Sequence, residues 1–494
     1  MGKRFFRDLL ILSLSSLFLR GVGVVWSGYL SRRMGAGAMG LHSIVLNLYG
    51  FAVTFAVAGI GLAVTRLVSE YEAQNDRAGS FAVVRRSLFS ASLSGGGTAL
   101  LLLFFARPLG LLLGDGTTAP LVRALALPVF SLSVSAVFSG YFAARRRAWI
   151  NVLSGVFELF LRILFTLRLL SPAPQTDGDA VFRLLLGGGL AEAASALLQV
   201  LLYLADRRTA CVKKVPGLTR RILSVSVPIA LSGCLRAGLS TVGHLLIPFS
   251  LCRSGIDRAT ALASYGTLAG MALPVVLYPM AILSAGAALL VPEFARLRAD
   301  GDLAGTRSLT GRALFCTLSF SLGCFTVLAA FASPLGRLLF GSTDAGRFIA
   351  FLAPVVPVMF LDHITDAALK GIGEQVAVMW INIADSALTV LLILFLLPKL
   401  GIVGYIVMIA LTEVFNFACS FWRLRRATGY SPAPLRAVLP TLSALFALIF
   451  ARLFLVGGAR TLPTLAVGGA AALAFYLLPF LFPRRGVPKN LPRP

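Results

Sequence analysis

The chain has 494 residues, of which 57% are hydrophobic and 13% charged, with a mean hydropathy of +0.87. Soluble domains carry about 25% charged residues, so composition excludes a water-soluble enzyme. The balance of 45 basic to 20 acidic residues gives +25, yet the basic residues stand in short clusters between apolar runs, which is the pattern of cytoplasmic loops rather than of a nucleic-acid-binding domain.

The apolar runs recur at a spacing of about one bilayer crossing plus a connection, which predicts about 14 transmembrane helices. In chain order the predicted spans are 8–30, 41–65, 87–107, 121–143, 149–170, 181–205, 222–250, 262–291, 311–332, 347–369, 376–397, 402–421, 436–456 and 462–482. The first run imitates a secretory leader behind Lys3, Arg4 and Arg7. It continues past Arg20 to Tyr29 without a small-x-small cleavage site, so it is read as a retained crossing. Every run is apolar nearly all round, as a helix in lipid is, and a spanning backbone must satisfy its own hydrogen bonds. The expected class is an all-α polytopic membrane protein.

Charge sets the expected orientation. With the N-terminus inside, inner connections hold 29 of the 45 basic residues and outer ones 12. That bias places both termini in the cytoplasm. Outer connections carry turn residues, as in Gly114-Asp115-Gly116 and Ser171-Pro172-Ala173-Pro174. The longest inner connection, Asp206 to Arg221, separates spans six and seven. The six cysteines show no C-x-x-C spacing, so neither a disulfide framework nor a zinc site is expected.

Self-comparison reveals an internal repeat. Ser16-x-x-Leu19-Arg20 recurs as Ser232-x-x-Leu235-Arg236, offset 216; Leu67-Val68-x-Glu70-Tyr71 as Leu290-Val291-x-Glu293-Phe294, offset 223. Arg86-x-Leu88-Phe89 recurs as Arg312-x-Leu314-Phe315, and Pro108-Leu109-Gly110 as Pro334-Leu335-Gly336, both at offset 226. Trp149-Ile150-Asn151 recurs as Trp380-Ile381-Asn382, offset 231. The expected organisation is an N-lobe of helices 1–6 (1–206), a cytoplasmic linker (207–221), a C-lobe of helices 7–12 (222–426), then helices 13–14 and a cytoplasmic tail (427–494). Two parallel six-helix lobes around a central cavity suit a carrier that rocks between two openings.

Charge inside the membrane is costly and marks candidate sites. Arg20 and Arg236 are repeat mates, roughly 18 Å and roughly 21 Å into their spans at 1.5 Å per residue. Neither has an acid at i±3 or i±4. Facing one another across the cavity, two guanidinium forks would clamp a diphosphate or two carboxylates. The competing reading pairs each with an acid on another span, among Glu158, Glu192, Asp385 and Glu413. Arg162 has Glu158 four residues earlier, a ready neutral pair, and Arg452 is placed to snorkel. Asp362, His363 and Asp366 cluster in span ten as a sodium or proton site, unless Asp366 pairs with Lys370 at i+4. His244 is a lone histidine in span seven, a cavity residue or a packed one. Asp177-Gly-Asp179 imitates the D-x-D of metal-dependent glycosyltransferases in a turn-rich loop with no second acidic cluster. No P-loop, nucleophile triad or metal-ligand set is present.

The stretch Arg33-Met34-Gly35-x-x-x-x-Gly40-Leu41, followed by Gly59-Ile60-Gly61-Leu62-Ala63-Val64 and Arg66-Leu67-Val68, resembles the start of polysaccharide-transporter proteins. Ser224-Val225-Ser226-Val227-Pro228-Ile229, Gly270-Met271-Ala272-Leu273-Pro274 and Gly371-Ile372-Gly373 resemble the same group. The branch is the stage V sporulation protein B-like group of the multidrug/oligosaccharidyl-lipid/polysaccharide exporter superfamily. The resemblance spans almost the whole chain. It implies fourteen helices, two lobes, a V-shaped cavity and translocation of undecaprenyl-diphosphate-linked sugars to the outer leaflet. Related lipid II flippases hold the anionic headgroup with basic residues in and near the first helix. Arg20 matches the deep first-helix arginine, whereas the further arginine of those flippases is absent and Trp26 sits in that region.

The expected function is therefore that of an alternating-access flippase, not an enzyme, for an anionic lipid-linked oligosaccharide or peptidoglycan precursor in the bacterial plasma membrane. It would serve cell-wall, spore-cortex or surface polysaccharide synthesis. Its partners would be that lipid and the surrounding membrane, with no nucleic acid and a monomeric state. No cofactor is expected, and coupling would be to Na+, H+ or the membrane potential. The alternatives are a cation-coupled multidrug antiporter of the same superfamily and a membrane glycosyltransferase acting through Asp177 and Asp179.

Overall fold

The computed structural model describes residues 3–57, 59–113, 118–206, 217–432, 435–456, 470–474 and 476–477. Among them the secondary structure is helical, without a strand. Eleven helical stretches are long and apolar enough to cross a membrane. Large apolar side chains stand outside the packing, Phe104 at 80% exposure among them, as they do where the solvent is lipid. The protein is a multi-pass membrane protein.

Two stretches are too long for a single crossing. α1, Lys3–Val57, has 55 residues, and α16, Gln375–Thr428, has 54. Each would run about 80 Å at 1.5 Å per residue, against about 30 Å of hydrocarbon. Each is broken at one glycine, Gly35 with φ 84° and Gly401 with φ 57°, backbone values that a Cβ would disfavour. α16 therefore accommodates two of the predicted spans, and α1 the first and most of the second, whose end lies in α2, Ile60–Ala73, with one glycine in each doing what the sequence suggested a loop would do. The predicted span 262–291, conversely, is interrupted. It falls on α10 (Arg258–Tyr265), a π-helical segment Gly266–Ala272, α11 (Leu273–Leu277) and α12 (Met280–Ala299), with a break at Tyr278–Pro279. The span predicted at 436–456 is α17, Leu435–Val456; most of 462–482 lies outside the described residues.

Contacts group the chain into two units, residues 1–271 with 379–409, and residues 272–378 with 410–494. The first contains α1, α2 (Ile60–Ala73), α3 (Arg77–Phe104), α4 (Ala106–Leu113), α5 (Ala119–Ala124), α6 (Ala126–Ala144), α7 (Ala148–Leu170), α8 (Asp177–Asp206), α9 (Leu218–Cys252) and α10. Its core joins α2, α3, α6 and α8 through Val64, Leu67, Phe81, Phe138, Tyr141 and Tyr203. Tyr141 and Tyr203 meet edge to face, 5.2 Å between centroids, a favoured aromatic geometry. Helix α10 is capped by Asp257, whose carboxylate accepts from the Thr260 hydroxyl (2.6 Å) and N–H (3.0 Å); these bonds hold it below the usual carboxylate range.

The second half of α1 crosses the α10 end at almost no separation. A Cβ on Gly40 would collide with the Leu262 carbonyl oxygen, and one on Gly266 with the Ala36 carbonyl oxygen. Ala36-x-x-x-Gly40 and Gly266-x-x-x-Gly270 are the small-residue spacings that let membrane helices touch backbone to backbone. Ser27 Oγ, donating to the Gly270 carbonyl at 2.8 Å, ties the same pair.

The second unit holds α11, α12, α13 (Leu303–Leu335), α14 (Thr343–Leu352), α15 (Val356–Gly371), the end of α16 and α17. Phe294, Leu369, Leu424 and Ala368 form one buried cluster, and Ala330, Phe331 and Ala451 another.

The repeat recurs in the backbone. Asn75 N–H bonds the Glu72 carbonyl and Asp76 N–H the Tyr71 carbonyl; Gly301 N–H bonds the Arg298 carbonyl and Asp302 N–H the Leu297 carbonyl. Asp76 then caps α3 by accepting from Gly79 N–H at 2.9 Å, and Asp302 caps α13 by accepting from Gly305 N–H at 2.7 Å. All these pairs are 226 residues apart. The turn Arg146–Arg147 before α7 recurs 227 residues later as Gly373–Glu374 before α16.

Candidate functional site

Arg20 lies on α1 before its break and interrupts the apolar stretch Leu17–Trp26. Its side chain is exposed and, among the described residues, takes part in no hydrogen bond or ion pair. Arg236 lies on α9, also exposed, with Nη1 donating to the Asn382 Oδ1 at 3.4 Å on α16. Asp385, one turn beyond Asn382, feels the Arg236 charge. Its Oδ1 is buried and has no hydrogen-bond partner among the described residues. Both arginines fall in the first unit. A guanidinium exposed on a membrane-length helix retains donors for a planar anion such as phosphate.

A second constellation in this unit lies between α7 and α8. The Arg162 guanidinium donates through Nη2 to Glu158 Oε1 and lies 3.9 Å from Glu192 Oε2. Glu192 is 5% exposed. The Arg162 charge reaches His42 on α1, and all three charges reach Tyr49 on the same helix. Neither α1 residue stood out in the sequence: a histidine and a tyrosine in an apolar run become meaningful only once α1 is seen to pack on the α7–α8 hairpin.

His244 belongs to a polar knot of the first unit. Its Nδ1 is 3.0 Å from the Tyr265 hydroxyl, which also receives Asn47 Nδ2 at 3.4 Å. Thr241 Oγ1 donates to the Asn47 carbonyl at 3.2 Å, and the Tyr265 ring stacks on Tyr405 at 6.1 Å. The knot joins α1, α9, α10 and α16 just beyond the Gly40–Gly266 crossing.

In the second unit, Asp362 Oδ2 accepts from Asn416 Nδ2 at 3.1 Å, and Asp366 Oδ1 from Ser420 Oγ at 3.2 Å. Lys370 Nζ stands 3.7 Å from Asp366 Oδ2. His363 Nε2 is 3.3 Å from Ser284 Oγ on α12. Near these helices an apolar pocket of about 170 Å³ is lined by Leu314, Phe315, Leu318, Phe417, Phe421 and Tyr430.

Asp177 and Asp179 occupy the first turn of α8, where negative charge complements the helix dipole. Asp179 is also 2.8 Å from Arg183. Arg452 is on α17, a helix of mainly apolar residues. Among the described residues no group of three His, Cys, Asp or Glu side chains is placed to hold a metal ion.

Residues 5–298 match the family described as "Polysaccharide biosynthesis protein". The chain is 25% identical over 421 residues to stage V sporulation protein B of Bacillus subtilis (strain 168), covering 81% of this chain and 79% of that relative. Among solved structures it is similar to an inward-facing multidrug resistance MATE family transporter of the MOP superfamily. The TM-score is 0.71 and the identity 15%, over 84% of this chain and 94% of the other. The lipid II flippase MurJ, in an inward closed conformation, gives a TM-score of 0.65 and 12% identity over 95% and 97% of the two chains. At such identities the two solved structures establish a shared fold.

Proposed function

This chain belongs to the polysaccharide biosynthesis protein family, and we propose that it is an alternating-access flippase of the bacterial plasma membrane, with both termini cytoplasmic and a monomer as the working unit. Its cargo is an anionic lipid-linked oligosaccharide or peptidoglycan precursor of the undecaprenyl-diphosphate type, used in cell-wall, spore-cortex or surface polysaccharide synthesis. The relative named as a sporulation protein and the neighbour named as a lipid II flippase support this class of cargo.

The observation that carries the reading is the state of the two deep arginines. An ion-paired arginine would be structural; Arg20 and Arg236 are instead exposed, and the hydrogen bond of Arg236 goes to the neutral Asn382 amide, with Asp385 only near enough to feel its charge. Their positive charge selects a diphosphate and disfavours the cationic substrate of a multidrug antiporter. The sugars would occupy the cavity and the prenyl chain would remain in lipid. An inside-negative potential assists outward movement of two negative charges by roughly 4.6 kcal/mol per 100 mV. A glycosyltransferase reading gains nothing from Asp179, which is engaged by Arg183.

Purified protein in vesicles, offered lipid-diphosphate sugars in a leaflet-access assay, tests the proposal. Arg20→Ala and Arg236→Ala should each slow translocation by at least about tenfold, the loss of one charge-assisted contact, and the double variant should abolish it. Full activity of the double variant overturns the clamp; transport of cationic dyes in place of the lipid overturns the cargo.

A further inference from the structure

We propose that Glu158, Arg162 and Glu192 form a proton-binding site inside the first unit, and that this site makes H+ the coupling ion. The coupling half rests on the flippase reading above; the site does not.

The argument begins with position. Glu158 is ten residues into α7, roughly 15 Å, and Glu192 fifteen residues into α8, roughly 22 Å, at 1.5 Å per residue. Both are thus near mid-span, far from either end of the hairpin. The Glu192 carboxyl lies near enough to that of Glu158 to feel its charge, while Arg162 donates to Glu158 and stands 3.9 Å from Glu192. Two carboxylates against one guanidinium leave a net charge of minus one in the membrane interior. Two carboxylates sharing one guanidinium cannot both ionise cheaply, and an uncompensated charge on Glu192, the buried member of the group, is unfavourable. One proton on the pair restores neutrality. Uptake adds that proton to a carboxylate oxygen, and release returns it to solvent; no other bond changes.

The second observation is independent of the charges. On α7 the side chains Ser154, Glu158, Arg162 and Thr166 follow at four-residue steps and form one stripe. The Ser154 and Thr166 hydroxyls are 1% and 0% exposed and have no hydrogen-bond partner among the described residues. Arg162 Nε is likewise buried and unpartnered. Buried polar groups are ordinarily satisfied, and an orphan costs about 1–3 kcal/mol. The hydroxyl of Ser154, one turn before Glu158, and that of Thr166, one turn beyond Arg162, can each both accept and donate a proton, so the stripe extends the site along the helix in both directions. The other titratable groups facing it come from α1: His42, near Arg162, and Tyr49, near all three charges. The proton site faces the half of α1 beyond Gly35, and Arg20 lies on the half before it, so the two are linked through the break at that glycine.

The test has two arms on the full-length protein in lipid vesicles. Infrared difference spectra across a pH titration should show a protonated-carboxyl C=O band that is lost in Glu192→Gln and in Glu158→Gln. Absence of the band from the wild type, or its persistence in both variants, overturns the site. Both variants are isosteric; thermal unfolding indistinguishable from wild type shows that a lost band is not a lost fold. In the transport arm, an imposed pH gradient should accelerate lipid-diphosphate-sugar translocation by the wild type and leave Glu192→Gln unaffected, whereas a sodium gradient should affect neither. A response to sodium alone, or a pH response retained in Glu192→Gln, overturns the coupling. A titrating band in a protein that moves no lipid-diphosphate sugar refutes the flippase reading and leaves the proton site standing.

Discussion

In the first unit, α6 and α8 are stitched by neutral groups: Ser135 Oγ donates to Gln199 Oε1 at 3.0 Å, and Gln199 Nε2 to Ser139 Oγ at 3.4 Å. At the matching places of the second unit, 227 residues on in α15 and 217 on in α16, stand Asp362, Asp366 and Asn416. There Asn416 donates to Asp362, and Ser420 and Lys370 engage Asp366. Below each seam is an ion pair, and here the signs are exchanged. Arg147 meets Asp206 at 2.9 Å in the first unit, and Glu374 meets Arg423 at 2.7 Å in the second. One scaffold thus tolerates either charge at the same position, provided the partner changes with it. Position in the repeat fixes which side chains must be polar; it does not fix their sign.

The pairs are unequal in one respect, and this gives the largest expected effect. Arg145 joins the first-unit pair. It is bonded to Asp206 and lies 3.5 Å from Glu72, with side-chain exposure of 11%, and the Tyr141 hydroxyl donates to the same Asp206 at 2.5 Å. The corresponding residue of the second unit is Ile372. Removing one partner of a buried network costs about 3 kcal/mol, so Arg145→Ala should lower stability by that amount. Arg423→Ala, at a side chain 36% exposed, should cost no more than about 1 kcal/mol. Thermal unfolding of the purified variants in one detergent measures both, and equal losses would erase the asymmetry.

The seam itself comes next. Asp362→Leu deprives Asn416 of its buried acceptor and should cost about 2 kcal/mol. Asp362→Asn keeps an acceptor oxygen and should stay within about 1 kcal/mol of the wild type by the same reasoning. It should also retain transport if the carboxylate merely takes the place of Ser135 as the residue bonded to the facing amide. A stable Asp362→Asn protein that no longer transports would show that the acid has a duty its neutral counterpart lacks.

The comparison also shows what could be read without coordinates. That the chain is built of apolar membrane-length helices was legible because lipid leaves the backbone few choices; eleven such stretches stand among the described residues. The breaks at Gly35 and Gly401 fall in the gaps the sequence leaves between spans, at 31–40 and 398–401; what the sequence does not show is that a single positive φ, rather than a loop, makes each of them. The duplication was legible, but its register was not uniformly so. Turn to turn the offset is 226 and then 227, whereas the matches at Leu67 and Trp149 gave 223 and 231. These are displaced by three and four residues, about one helical turn, because an amphipathic pattern matches itself when slid by its own period. For the candidate residues, isolation in apolar sequence drew attention to Arg20, Arg236 and the Glu158–Arg162 step. The joining of Glu192 to that step depends on how α7 and α8 pack, and His42 on where α1 lies over them, neither of which a linear pattern contains.

The smallest expected effect concerns the turns in which the halves agree most closely. Asp76 and Asp302 make the same cap, and Asp76→Ala and Asp302→Ala should each cost about 1 kcal/mol, the ordinary value of an N-cap. Immediately before them stand Asn75 with φ 54° and Gly301 with φ 70°. Asn tolerates this left-handed region because its short side chain bonds locally, whereas other L-residues lose roughly 1–2 kcal/mol there. Gly301→Asn, which copies the first half into the second, should therefore be nearly neutral, while Gly301→Ala should be destabilised by about 1 kcal/mol. Unfolding midpoints that rank Asn with Gly and below them Ala would show that the two turns are equivalent in energy as well as in hydrogen bonding. Equal loss from Asn and Ala would mean that the second turn depends on the absence of a side chain, and so differs from the first in the packing around it.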